Sequence, residues 1–192
     1  MFITLANKIT LLRIFNVPLF ILLLLYYRST VKAGTPFDLY LYCATGLFTF
    51  TIVLDALDGH LARTRNEITR LGSVLDPLAD KALLISSFII LSSNSIGTTH
   101  PHLPLWFVIL VISRDIVLVF GALLINFFAG PVKVQSRPFG KIATFFQTAV
   151  VLLVLFKFHG RVFLSGVIIA AVFTVISGIQ YIIEGYRQVE TM

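Results

Sequence analysis

Six stretches of this 192-residue chain are apolar enough, for long enough, to cross a lipid bilayer. A helical residue rises about 1.5 Å and the hydrocarbon core is about 30 Å thick, so a span takes about 20 residues. The stretches run over residues 11–27, 37–57, 72–92, 103–127, 142–158 and 162–183. Thr35-Pro36, Asn94-Ser95 with Gly97, Gly130-Pro131, Pro138 with Gly140, and His159-Gly160 separate them, all residue types that break helices or start turns. With 57% hydrophobic and 12% charged residues, too few polar side chains remain to coat a water-facing surface. The expectation is an all-α integral membrane bundle of six transmembrane helices. No linker, low-complexity tract or repeat divides it, so residues 1–192 read as a single domain. Asn7, Lys8, Thr10 and Arg13 lead into the first stretch without a small-residue cleavage site, which favours a retained helix over a signal peptide.

This reading excludes a free soluble enzyme or a secreted module. Cys43 is the only cysteine, so internal disulfides and Cys-ligated metal clusters are excluded too, and Cys43 is expected to pack as a small apolar residue. The net charge of +6 comes without a basic, aromatic-interleaved soluble segment, which argues against nucleic acid as a partner. The cations instead follow the membrane. With the N-terminus in the cytoplasm, that side holds Lys8, Arg13, Arg63, Arg65, Arg70, Lys133, Arg137, Lys141 and Arg187, and the other holds Arg28, Lys32, Lys157 and Arg161. The asymmetry places both termini inside. His100 and His102 lie in an outer loop with no third ligand nearby and read as solvated histidines. Trp106 reads as an interfacial anchor.

Charge inside the spans is the costly feature. The sequence runs Asp55-Ala-Leu-Asp58-Gly59-His-Leu-Ala62-Arg63, then eight residues, then Gly72-Ser-Val-Leu-Asp76-Pro-Leu-Ala-Asp80-Lys81. On helices, spacings of three and four put Asp55 with Asp58 on one face and Asp76 with Asp80 on another. Each Asp near a span's centre costs roughly 2.5 to 3.5 kcal/mol, so four facing lipid cost on the order of 10 kcal/mol. They must face inward, and there their mutual repulsion calls for cations or protons. Oxygen-only ligands select hard ions, Mg2+ or Mn2+ with Ca2+ also possible, and four carboxylates suffice for two. The alternative is interhelical salt bridges to Arg63, Arg65 or Lys81. Gly59 allows the helix to open and a ligand to approach, with His60 read as a loop residue beside it. Ala62 keeps the wall small, Arg63 offers phosphate a bidentate fork, and Gly72 gives a second close approach. Metals, glycines and an arginine at a membrane suggest a diphosphate with an apolar tail.

The pattern D-x-x-D-G-x-x-A-R, eight residues, G-x-x-x-D-x-x-x-D is met at Asp55, Asp58, Gly59, Ala62, Arg63, Gly72, Asp76 and Asp80. It resembles the signature of the CDP-alcohol phosphatidyltransferase family. That resemblance implies six spans, usually in a homodimer, and two divalent cations, Mg2+ or Mn2+, on Asp55, Asp58, Asp76 and Asp80. It implies that Gly59, Ala62, Arg63 and Gly72 line the CDP site and that Asp80 is the general base. The implied reaction transfers a phosphatidyl group from CDP-diacylglycerol to an alcohol and releases CMP, in a bacterial cytoplasmic membrane with the active site on the cytoplasmic side.

For the acceptor, Asn7, Thr10 and Arg13 share a helical face and resemble the N-x-x-T-x-x-R opening of bacterial enzymes acting on glycerol 3-phosphate. Arg114-Asp115 inside the fourth stretch either reaches the acceptor's anion, neutralises itself, or bridges to the Asp cluster. Lys133, Arg137 and Lys141 either contact phosphate or form a cytoplasmic basic loop; Lys141 with Thr144 and Gln147 opens the fifth stretch as in the family. Ser113-Arg114-Asp115, with Ala122 eight residues beyond Arg114, resembles instead the enzymes that take phosphatidylglycerol to make cardiolipin. Glycerol 3-phosphate is the favoured acceptor and phosphatidylglycerol the alternative. A transporter with an acidic ion site is a remote third reading, because the acidic signature occurs once and no half-repeat is evident. Gly166, Ala170 and Ala171 in the sixth stretch allow close helix contact, within the chain or across a dimer.

Overall fold

The computed structural model describes residues 5–65, 72–93, 101–129 and 138–190, with side chains described for 12–55, 78–93, 101–121, 123, 124, 127 and 138–187. Among these residues it has six helices and no strand: α1 (Leu5–Lys32), α2 (Asp38–Arg65), α3 (Gly72–Leu91), α4 (Leu105–Ala129), α5 (Pro138–Leu155) and α6 (Arg161–Glu190). In α1, α2, α5 and α6 the described residues alone are long and apolar enough to cross a bilayer. The chain is an all-helical integral membrane protein. Its helices mostly outrun the apolar stretches, because a helix that leaves the bilayer still satisfies its own backbone. Thus α1 begins at Leu5 and carries Asn7 and Thr10, and α6 runs on to Glu190.

Two units form, over Met1–His102 and Leu103–Met192. In the first, α1 packs against both α2 and α3. Phe20, Leu24 and Tyr27 of α1, Leu41, Ala44 and Phe48 of α2, and Leu84, Phe88 and Leu91 of α3 are buried, with the Phe20 and Phe48 rings 5.4 Å apart. Leu12, Phe15, Leu19, Leu22 and Leu25 are exposed on α1, as a lipid-facing stripe requires. Cys43 is also exposed, on α2, and so does not pack as expected. Gly34, at φ 77°, closes α1: Thr35 N donates to Thr30 O at 3.1 Å and Gly34 N to Val31 O at 3.1 Å. This is the Schellman closure that glycine makes without strain.

In the second unit α6 packs against both α4 and α5. Val150, Val151 and Val154 of α5 and Val167, Ala170 and Ala171 of α6 are buried, and Phe146 stacks on Phe173 at 5.1 Å. A Cβ on Gly166 would come within 2.9 Å of Leu153, so this glycine serves the α5–α6 contact within one chain. Buried Gln147 donates through Nε2 to Thr174 Oγ1 at 2.9 Å. The apolar stretch to residue 158 is cut short, α5 ending at Leu155 with Lys157 left-handed at φ 59°.

Candidate active site

Arg13 lies within the apolar part of α1, where a guanidinium facing lipid would be untenable. It is 1% exposed. Its Nη2 lies 2.9 Å from Oδ1 of Asp55 on α2 and also hydrogen-bonds Oδ1 of Asp80 on α3. Three helices therefore meet at one nitrogen. The carboxylates are the open side of the cluster, 51% exposed at Asp55 and 40% at Asp80. One turn along α1, buried Asn16 donates to Oγ1 of buried Thr51 at 3.3 Å, and Thr51, one turn before Asp55, donates to Leu47 O at 2.8 Å. Two polar rungs one turn apart thus fix the register of α1 against α2.

Asp55 and Asp80 are the two members of the expected quartet whose side chains are described, and the structure brings them together. The side chains of Asp58, Asp76, Gly59, Ala62, Arg63 and Gly72 lie outside the described residues; their backbones are helical, Asp58 one turn after Asp55 and Asp76 one turn before Asp80. Several expectations need correction. Helix α2 runs unbroken through Gly59 and His60 to Arg65, so Gly59 does not open the helix and His60 is not in a loop. Arg63 and Arg65 sit on the last turns of α2. The cation on the Asp pair is Arg13, which the sequence assigned to the acceptor. Its apolar surroundings were the available signal, since a buried guanidinium needs acidic partners.

The donor set fits a hard cation. Hard oxygens from two helices already converge on one positive nitrogen, and both carboxylates keep an exposed side from which an ion could enter. Among the described residues no group of three or more His, Cys, Asp or Glu side chains forms, the other two Asp being outside that set.

In the second unit α4 carries Arg114, whose Nη1 lies 2.8 Å from Oδ1 of Asp115 and whose Nη2 hydrogen-bonds Oγ of Ser177 on α6. Both charged side chains are nearly buried, 10% and 13% exposed. Small residues leave the room: a Cβ on Gly140 would sit 3.4 Å from Arg114 Nη2, and one on Gly178 3.5 Å from its Cγ. Arg114 Nε is buried with no acceptor among the described residues. Arg114 and Asp115 therefore neutralise each other, while one donor edge is left over. Ser177 was missed, being a single hydroxyl in a long apolar helix. Lys141 is exposed on the first turn of α5, next to Gly140; Lys133 and Arg137 lie outside the described residues. His102 lies in the segment before α4 and is partly exposed, its Nδ1 buried without a partner among the described residues. His100 lies outside them.

The family model for CDP-alcohol phosphatidyltransferase matches residues 3–177. The chain belongs to that family. Two relatives cover nearly all of this phosphatidyltransferase. A Bacillus subtilis protein named CDP-diacylglycerol--glycerol-3-phosphate 3-phosphatidyltransferase is 33% identical over 97% of each chain. A Mycobacterium tuberculosis protein named "Probable phosphatidylglycerophosphate synthase" is 31% identical over 96% of this chain and 83% of its own length. A Streptomyces coelicolor protein named cardiolipin synthase (CMP-forming) is 32% identical over 74% of this chain and 60% of its own. The matched region contains Asp55, Asp80, Arg13 and Arg114, and runs through both units to Ser177.

Proposed function

We propose that this phosphatidyltransferase moves the phosphatidyl group of CDP-diacylglycerol onto glycerol 3-phosphate, giving phosphatidylglycerophosphate and CMP. The observation that carries the reading is the meeting of Asp55 and Asp80 at one point, each with an exposed side. Residues 1–192 act as one phosphatidyltransferase domain, which the unbroken match over 3–177 supports. Family resemblance argues for a homodimer, and the distribution of Lys and Arg for both termini and the active site on the cytoplasmic side of a bacterial membrane.

Asp55, Asp58, Asp76 and Asp80 hold two divalent cations, Mg2+ or Mn2+, which when bound supply charge neutralisation at the diphosphate. Gly59, Ala62, Arg63 and Gly72 line the CDP portion, Arg63 pairing with phosphate oxygens. Asp80 accepts the proton of the acceptor hydroxyl as that oxygen bonds to the phosphorus bearing the lipid. The diphosphate P–O bond breaks in the same displacement and CMP leaves with the bonding electrons. Arg114 and Lys141 serve the acceptor's phosphate. The acyl chains stay in the bilayer, so only headgroup chemistry needs the polar site.

The second reading takes phosphatidylglycerol as acceptor and makes cardiolipin. Ser113-Arg114-Asp115 with Ala122 favours it, and the Streptomyces relative carries that name. A phosphodiester demands fewer cationic contacts than a dianionic phosphomonoester. Purified protein given CDP-diacylglycerol with glycerol 3-phosphate, phosphatidylglycerol, serine or inositol phosphate separates the readings by the lipid made. Phosphatidylglycerophosphate is expected; cardiolipin alone would establish the second reading, and no CMP from any acceptor would refute both.

A further inference from the structure

Arg13 has a part that the transfer reaction does not require of it. Two carboxylates from different helices, Asp55 and Asp80, address the same guanidinium nitrogen, an arrangement of one cation between two anions. A guanidinium usually meets carboxylates through its two-pronged edge. Here Nη2 lies between an oxygen of each of two carboxylates, the kind of place a metal ion between two ligands takes. Arg13 is buried while both carboxylates keep an open side, so the positive charge lies beneath them and a second cation can arrive from above. The Asn16–Thr51 rung one turn away also ties α1 to α2, so packing helps to deliver Arg13 to this point. Without a positive charge there, Asp55 and Asp80 would repel at close quarters and drive α2 and α3 apart.

We propose that Arg13 is a built-in counter-ion: it holds Asp55 and Asp80 together before a divalent cation binds, then yields the Oδ1 oxygen of each to that ion. The proposal rests on the metal reading given above. It makes Arg13 a positioning residue that keeps the acidic site assembled while empty. It also accounts for an arginine on α1 facing an acidic signature that is carried entirely by α2 and α3.

The test is thermal unfolding of the purified full chain in detergent, in EDTA and in saturating Mn2+, for wild type, Arg13→Gln, Arg13→Lys and the double variant Arg13→Gln/Asp55→Asn. Arg13→Gln should lower the metal-free midpoint by several degrees, Mn2+ should recover most of that loss, and Arg13→Lys should fall between. The double variant, with one of the opposed charges removed, should regain the metal-free midpoint lost by Arg13→Gln. An equal loss with and without Mn2+ overturns the proposal and assigns Arg13 to packing alone, as does an unchanged metal-free midpoint. If wild type itself gains nothing from Mn2+, the metal reading fails and the exchange fails with it. A wild type that responds to Mn2+ beside a variant whose deficit does not respond overturns the Arg13 proposal only.

Discussion

Arg13 on α1 and Asp80 on α3 stand 67 residues apart in sequence and are joined by a hydrogen bond between their side chains. Asp80 is therefore held from below while part of its carboxylate stays open, which suits a group that must take a proton from an entering hydroxyl.

Replacing Asp80 by Asn keeps the shape and removes the proposed base. Turnover should fall by about 10²- to 10⁴-fold, the usual worth of a positioned general base. Circular dichroism and size-exclusion profiles should match wild type, because an amide oxygen can still accept from Arg13. Turnover within a few-fold of wild type would remove Asp80 from that role.

Stripping divalent ions should stop CMP release, and Mg2+ or Mn2+ added back should restore it. Hard oxygen ligands also predict that these ions outperform softer ones such as Cu+. CMP release measured after exhaustive chelation checks this, and undiminished release contradicts the metal role.

How far the site could be read beforehand depends on the range of the interactions. The placement of Asp55 with Asp58 and of Asp76 with Asp80 was legible because helical spacing is local, and α2 and α3 are helical through all four. The engagement of Arg13 was not, because which cation meets an acidic face depends on the register of three helices, fixed by contacts such as Asn16 with Thr51. Gly59 misled for a different reason. A glycine costs a helix about 1 kcal/mol, too little to break one otherwise continuous over 28 residues. Ser177 gave no local signal, and its part emerges only where α6 crosses Arg114.

Lys157 pays the conformational cost of ending α5. It takes the left-handed position at φ 59°, with Phe158 N donating to Leu153 O at 2.9 Å and Lys157 N to Val154 O at 3.0 Å. Left-handed backbone costs a residue with a Cβ about 1 kcal/mol that glycine does not incur. Lys157→Gly should therefore raise the thermal midpoint slightly and leave turnover unchanged, whereas Lys157→Val should lower the midpoint. The two variants compared in one unfolding series check the sign.

Arg114, in the proposed reaction, serves the acceptor and not CDP-diacylglycerol. Its guanidinium is held by Asp115 at 2.8 Å and by the Ser177 hydroxyl, between Gly140 and Gly178. In the proposed reaction it meets the acceptor's anion, so Arg114→Ala should raise KM for glycerol 3-phosphate far more than KM for CDP-diacylglycerol. Ser177→Ala removes one hydrogen bond to a charged group, worth about 1.5 to 3 kcal/mol, and frees the guanidinium to turn. It should therefore reproduce the direction of Arg114→Ala with a smaller change, roughly tenfold in kcat/KM for the acceptor. Asp115→Asn adds a control of opposite character, because it leaves the cation in place with its charge unbalanced. If Arg114 acts on the acceptor, that variant should bind glycerol 3-phosphate at least as well as wild type while losing thermal stability. Initial rates measured against each substrate in turn decide the matter: equal losses for both substrates in all three variants would mean that the Arg114–Asp115–Ser177 cluster only holds α4 to α6.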